Sequence, residues 1–488
     1  MLPAPEICER ARLARDPRFD GRFITAVLTT GIYCRPVCPA RPPARENVRY
    51  FSSAAAAAEA GYRPCRRCLP EIAQRVPEWT IGSKAVIQGL RLIDAGFLGE
   101  NDSSALAREL GIGARHMGRL FRRELGASPK SLAQTRRLHL AKRLIDESDL
   151  SFARVALQAG YGSVRRFNAE IKAVYARSPR QLRGSSTRRE TQALVLNLPV
   201  RQPYNYQWVF EFLRKRALPG LEEVHDFEYR RKLDSGGHWV SVAWQGDGLR
   251  LSVPPGATQT LGEIICRVRR VFDLDADPQA VDEHLGADAC LGPFVAAAPG
   301  LRVPGAWDGF ETAVRAILGQ QVSVARATTL ADQMTKRYGD DGFPAPAALV
   351  DATPAEIGMP GNRGRAISAL ARAVRDGQVA LHDGVDPETL TASLTAVGGI
   401  GPWTAAYIGM RVAKDPDAFP DSDWVILKML GVSSAEARRR SVAWRPWRAY
   451  AVMYLWWAAG TASAAGTAPA AGIAPAAGTA PAARTMNS

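Results

Sequence analysis

Four cysteines stand close together, in Cys34-Arg35-Pro36-Val37-Cys38 and in Cys65-Arg66-Arg67-Cys68. A C-x3-C pair followed by a C-x2-C pair has tetrathiolate zinc spacing, so Cys34, Cys38, Cys65 and Cys68 are candidate ligands of one Zn2+. Cys8, Cys266 and Cys290 are isolated. Spacing alone leaves two uses open. Such a zinc is most often structural. Four thiolates on Zn2+ also leave a net charge of about −2, however, and a sulfur reaching solvent then stays nucleophilic at neutral pH. Arg35, Arg41, Arg66 and Arg67 would hold a phosphate against it. A second constellation lies in Phe419-Pro420-Asp421-Ser422-Asp423-Trp424, where carboxylates adjoin an aromatic, followed by Trp444, Trp447, Tyr450, Tyr454, Trp456 and Trp457. A charge amid so much aromatic surface suggests a pocket for a flat, electron-poor ligand. About twenty residues before Asp423 comes Val397-Gly398-Gly399-Ile400-Gly401-Pro402-Trp403-Thr404. Its glycines let a backbone approach a phosphate, and N–H groups at the next helix start can donate to the phosphate oxygens. Taken by itself, it is an ordinary turn between two helices.

These residues need elements to hold them. With 488 residues, 46% hydrophobic, the chain can bury several cores, and three or four domains are expected. The net charge of +15 is uneven: residues 1–190 hold 34 Lys+Arg against 18 Asp+Glu, and the remainder 29 against 30. The first section is therefore suited to a polyanion, which favours nucleic acid. No apolar run is long enough to span a bilayer, and Glu6, Glu9, Arg10 and Arg12 interrupt any secretory signal. The expected location is the cytoplasm, at the nucleoid, where disulfides are disfavoured. From Ser83 to Arg183 the text reads as short amphipathic helices broken at Gly and Ser-Pro. Gly184–Arg189 reads as a linker. Alternation in residues 238–244 and 249–253 predicts strands. Helical periodicity runs from Trp307 to Trp457, and the Ala-Gly-Thr-Ala-Pro repeats beyond it predict disorder.

Thr30-Gly31-Ile32-Tyr33-Cys34-Arg35-Pro36-Val37-Cys38-Pro39 with Pro64-Cys65-Arg66-Arg67-Cys68 resembles the N-terminal domain of Ada proteins. The resemblance implies that Cys34 accepts the methyl group of a DNA methyl phosphotriester. Two helix-turn-helix patterns follow: Ser104 to Ile112 leading to Arg115 to Phe121, and Val155 to Tyr161 leading to Ser163 to Asn168. Ending in Ser178-Pro179-Arg180-Gln181-Leu182-Arg183, they resemble the AraC-type DNA-binding domain, which implies that Arg115, Arg119, Arg165, Arg166 and Asn168 lie on or beside recognition helices. Residues 190–457 resemble the helix-hairpin-helix glycosylases with the Gly/Pro-Asp signature, most closely the AlkA-type 3-methyladenine glycosylases. Besides the hairpin, Pro203-Tyr204-Asn205-Tyr206-Gln207-Trp208, Arg315-Ala316-Ile317-Leu318-Gly319-Gln320-Gln321 and Pro446-Trp447-Arg448-Ala449-Tyr450 carry the match. It implies a catalytic Asp423, with Asp421 as the rival, and a base pocket of Phe212, Trp403, Tyr407, Trp424 and Trp456. It also implies DNA contacts at Gln320, Gln321, Gly399, Gly401 and Thr404. Trp403 stands where bifunctional relatives carry a Schiff-base lysine, so no lyase step is expected. Gln321 takes the place of a wedging leucine.

The expected fold class is multidomain α+β. A small zinc-bound α/β domain (1–78) and an all-α double helix-turn-helix domain (83–184) come first. A TATA-binding-protein-like α+β subdomain (190–300), an all-α helix-hairpin-helix glycosylase domain (301–458) and a disordered tail (459–488) follow. The function this implies is excision of alkylated purines such as 3-methyladenine and 7-methylguanine, fused to a methylation-sensing regulator. One alternative is a regulator whose glycosylase-like half only binds DNA; another is a glycosylase with a structural zinc. Expected partners are double-stranded DNA and RNA polymerase, with no membrane. One Zn2+ and a structural monovalent cation at the hairpin are the expected cofactors. No Pro-Cys-His-Arg text occurs, so O6-methylguanine repair is not expected.

Overall fold

A computed structural model of the protein describes residues 2–72, 81–148, 150–183, 194–233, 236–254, 257, 261–352, 361–382 and 385–464. The cysteine-rich region is a four-stranded sheet of β1 (Ile24–Val27), β2 (Ile32–Cys34), β3 (Val48–Phe51) and β4 (Arg63–Pro64), in the order β3-β1-β2-β4, with helix α1 (Ala54–Glu59) beside it. Its own apolar core is two small clusters, Ile24, Ala26, Tyr33 and Ala57 in one and Cys8, Ala11 and Phe23 in the other. So small a core needs a crosslink, which is what a structural metal supplies.

Six helices of seven or more residues follow: α2 (Lys84–Asp94), α3 (Ser103–Glu109), α4 (Ala114–Leu125), α5 (Pro129–Glu147), α6 (Phe152–Gln158) and α7 (Val164–Tyr175). Asp102, Ser128, Ser151 and Ser163 cap α3, α5, α6 and α7 with side-chain oxygens. The pairs α3–α4 and α6–α7 are the two expected helix-turn-helix units. They are joined by α5, a single 19-residue helix rather than short pieces. Gly89 lets α2 cross α4, since a Cβ there would lie 2.6 Å from the Phe121 ring.

The next segment forms an antiparallel sheet of β5 (Leu194–Pro199), β6 (Glu222–His225), β7 (Glu228–Lys232), β8 (Trp239–Gln245) and β9 (Gly248–Val253), ordered β5-β9-β8-β7-β6. Helices α8 (Tyr206–Arg214) and α9 (Leu261–Val271) accompany it. Val240 and Val242 are fully buried and Ser241 less so, the alternation read from the sequence. The helical segment comprises α10 (Gly309–Leu318), α11 (Val324–Tyr338), α12 (Gly361–Arg375), α13 (Pro387–Thr395), α14 (Pro402–Arg411), α15 (Trp424–Leu430) and α16 (Arg448–Ala464), with shorter turns between.

Two expectations change. The helix-turn-helix segment is not a free-standing unit: Leu138, Leu144, Val155, Phe167 and Ile171 share one apolar cluster with Leu196, Leu198, Val240, Val253 and Ile264. Ala55 and Ala56 of α1 likewise join the core of the first helix-turn-helix. The tail does not begin at 459, because α16 continues to Ala464. Alanine-rich text has high helix propensity, and Thr461 Oγ1 donates back to Trp457 O at 2.8 Å. The remaining tail and the Gly184–Arg189 linker lie outside the described residues. Among those described, no helix is long and apolar enough to cross a membrane.

Candidate active site and zinc centre

A cleft of about 1500 Å3 opens between α8, α10, α14, α15 and the end of α16. Asp423 sits in its wall, 8% exposed. It is the N-cap of α15: Oδ1 accepts from Val425 N at 3.0 Å and Ile426 N at 3.1 Å. The same oxygen accepts from Trp456 Nε1 at 3.2 Å, and Oδ2 from Trp403 Nε1 at 3.0 Å. Backbone and indole donors from three helices thus fix one carboxylate. Asp421 turns elsewhere, to Arg438, whose Nε donates to it at 2.6 Å, and it does not line the cleft.

The aromatic walls are Trp403, stacked on Tyr407 at 5.6 Å and 16°, and Trp456, 6.3 Å from Tyr407. Trp424 stands at the mouth, 70% exposed. Phe212 also lines the cleft, though only 2% of it is exposed. Arg216 stacks on it at 3.7 Å and Arg411 at 4.8 Å. Sequence reasoning missed these cations, although the text carries their signal. Phe212/Arg216, Tyr407/Arg411 and Trp424/Lys428 are each four residues apart, and in each pair the cation lies within 6 Å of the ring centroid, at 3.7, 5.6 and 5.0 Å.

The hairpin between α13 and α14 fits its expected turn. Gly399 has φ +90°, and a Cβ there would lie 2.6 Å from Ala366 Cβ. Gly398 and Gly401 are exposed, with open space around them. Gln320 Nε2 donates to Gly399 O at 3.1 Å and to Thr404 Oγ1 at 2.9 Å, tying the α10–α11 turn to the hairpin. Thr404 is 2% exposed, so its side chain braces the hairpin from inside rather than facing outward. Gln321 is exposed at the tip of the α10–α11 turn in a left-handed conformation, φ +55°.

At the other end of the chain the sulfurs of Cys34, Cys38, Cys65 and Cys68 lie within 4.8 Å of one another. Pairing of β2 with β4 brings Cys34 and Cys65 together, in the register Tyr33↔Pro64. Arg35 N donates to Cys68 Sγ and Arg67 N to Cys65 Sγ, each at 3.4 Å, as suits thiolate acceptors. This donor set fits a tetrahedral Zn2+. Cys65 and Cys68 are buried, whereas Cys34 and Cys38 reach solvent. Arg41, Arg66 and Arg67 are exposed, but Arg35 is turned inward to Asp20 and Cys68 O.

Residues 7–71 match the metal binding domain of Ada, residues 106–185 a helix-turn-helix domain and residues 195–308 the AlkA N-terminal domain. Over 477 residues the chain is 40% identical to a Mycobacterium tuberculosis protein named as a probable bifunctional transcriptional activator/DNA repair enzyme AlkA, covering 92% of this chain and 96% of that one. The chain belongs to this family. It is also 36% identical over 274 residues to Escherichia coli DNA-3-methyladenine glycosylase 2, covering 53% of this chain and 95% of that protein. A third relative is the bifunctional transcriptional activator/DNA repair enzyme Ada of E. coli, 36% identical over 153 residues, which span 30% of this chain and 40% of that protein. The four-cysteine cluster of this AlkA/Ada-type chain is accordingly a Zn2+ site. In its regulatory part, Arg115 and Arg119 on α4 and Arg165, Arg166 and Asn168 on α7 are all exposed. Their partners in the core, Met117 and Phe121 on α4 and Phe167 and Ile171 on α7, point the other way.

Proposed function

We propose that the C-terminal half is a monofunctional DNA glycosylase that releases N-alkylated purines, and that the N-terminal half senses methyl phosphotriesters and activates transcription. The observation that carries the first part is Asp423, held by the indole N–H groups of Trp403 and Trp456 at the edge of an aromatic cleft. A 3- or 7-alkylated purine is cationic and leaves without a proton from an acid. The need is to stabilise the sugar cation left behind, and a fixed carboxylate does so while orienting or deprotonating the attacking water. Trp403, Tyr407 and Trp456 offer faces on which the extruded base stacks. The glycines of the hairpin and Gln321 grip the duplex, Gln321 filling the gap in the stack. With Trp403 where a lyase lysine would stand, the product is an abasic site.

In the sensor, Zn2+ when bound keeps the sulfurs deprotonated at neutral pH. Cys34 attacks the methyl carbon of the phosphotriester; a C–S bond forms, the C–O bond breaks, and an ordinary phosphodiester leaves. Its partial exposure supports this assignment, and Cys38, equally open, is the rival that peptide mapping of the methylated protein separates. Loss of a thiolate charge weakens repulsion from phosphates, so the methylated chain binds its promoter more tightly and contacts RNA polymerase there.

The test is base release from methylated DNA by wild type and Asp423→Asn. The variant is expected to fold, bind DNA and release bases about 10²–10³-fold more slowly. Inactivity of both proteins favours a half that only binds DNA. Activity of both makes Asp421 the next candidate.

A further inference from the structure

The pocket proposed for a cationic purine is itself bordered by cations. Arg216 and Arg411 flank Phe212, and among the described residues neither is paired with a carboxylate. Arg411 Nη2 donates to Gly305 O at 3.2 Å, and Arg216 Nη1 to Phe212 O at 3.2 Å. Arg315 is different: it is paired with Glu222 at 3.0 Å and Glu311 at 2.9 Å, and those carboxylates also serve Arg231. Counting uncompensated charges, the purine cation would meet two guanidiniums, the Lys428 ammonium at the mouth and one carboxylate, Asp423. The attraction of aromatic faces for a cation is too weak to ignore that repulsion.

One group can reverse the balance. Arg411 Nη1 donates to the Tyr407 hydroxyl at 2.7 Å, and Arg216 also bears on it. Guanidinium nitrogens only donate, so they occupy the oxygen's lone pairs. Among the described residues, no carbonyl or carboxylate is recorded as accepting the Tyr407 proton. The charged groups bearing on this hydroxyl are Arg411 on its own helix, Arg216 beyond α8 and Arg315 on α10, and Glu222, Glu311, Asp423 and Lys428 line the same cleft; α16 contributes no charge. Burial would push the Tyr407 hydroxyl up, but Arg411, Arg216 and Arg315 outweigh it and hold it below the usual tyrosine range.

Resting on the glycosylase reading, we propose that Tyr407 is the charge-selecting residue of the pocket: held by Arg411, it gives its proton to solvent, and the resulting phenolate ring is the face on which a cationic purine stacks. Arg411 is then a positioning residue acting through Tyr407. A neutral base gains little from the phenolate, so the same ionisation sets the preference for cationic over neutral lesions.

Tyrosinate absorbance is to be followed against pH in wild type, Tyr407→Phe, Arg411→Lys and Arg411→Gln. In wild type one of the twelve tyrosines should ionise ahead of the rest. That early step should vanish in Tyr407→Phe, persist in Arg411→Lys and move to higher pH in Arg411→Gln. In parallel, single-turnover release is measured from duplexes carrying cationic 7-methylguanine or neutral hypoxanthine. The ratio of the two rates should rise about tenfold across the early step in wild type and stay flat in Tyr407→Phe. An early step absent from wild type, or a ratio that rises equally in Tyr407→Phe, overturns the proposal even with base release intact. No base release by wild type is a separate result: it overturns the glycosylase reading, and the purine with it.

Discussion

Asp423 carries a structural and a chemical task on one side chain, Oδ1 capping α15 and both oxygens holding the indoles that face the cleft. The two tasks separate by substitution. Asparagine is as good an N-cap as aspartate but turns an N–H toward the Trp403 indole, so Asp423→Asn should lose activity at a smaller cost in melting temperature than alanine. Asp423→Ala should lose activity and also about 1 kcal/mol of stability, seen in thermal unfolding. Gly399 is a second residue fixed by conformation: at φ +90°, with Ala366 2.6 Å from where a Cβ would go, Gly399→Ala should cost about 1–3 kcal/mol in denaturant unfolding and weaken duplex binding. The hairpin turn and a carboxylate beside the aromatics were legible in the sequence because both are set by local spacing, whereas Asp423 was preferred to Asp421 only through the family resemblance. The inward turn of Thr404 and the stacking of Arg411 on Phe212 were not legible, because each depends on a partner distant in the chain.

Elements, too, divide into those written locally and those decided by packing. Alternation announced β8 and β9, and the two helix-turn-helix patterns announced α3, α4, α6 and α7, because each follows from short-range requirements. The continuity of α5 escaped notice, since Ser128-Pro129 starts that helix rather than breaking it, proline being tolerated at the first helical position. The β1–β4 sheet, with only two small apolar clusters of its own, should depend on metal. Chelation is expected to abolish its protease resistance and leave the melting of the helix-hairpin-helix part unchanged, checked by limited proteolysis beside calorimetry. Gln320 joins the α10–α11 turn to the hairpin through two hydrogen bonds. Gln320→Ala should therefore weaken duplex affinity by about tenfold while the stability of the core changes by less than about 1 kcal/mol.

The whole molecule is less modular than its text. Residues adjoining the zinc ligands reach into the helix-turn-helix part: Tyr33 Oη and His139 Nε2 share a hydrogen bond of 2.9 Å, and Tyr175 Oη donates to Glu71 at 2.5 Å. Burial pushes His139 down to about 4 from 6.5. The unfolded chain therefore binds the extra proton in that interval, so this contribution to stability is complete above pH 6.5 and is lost as pH falls towards 4, by up to about 3 kcal/mol. Denaturant unfolding of wild type and His139→Gln over pH 4–7 should show that slope in wild type alone. Such contacts were invisible in the sequence because composition marks a boundary but not what lies against it. The core shared by Phe167 and Ile171 with Leu196, Leu198 and Val253 has one more consequence. A chain seated on a promoter brings its repair cleft along at a fixed offset, so the control region that must be read to mount the response is also the stretch of genome under closest inspection.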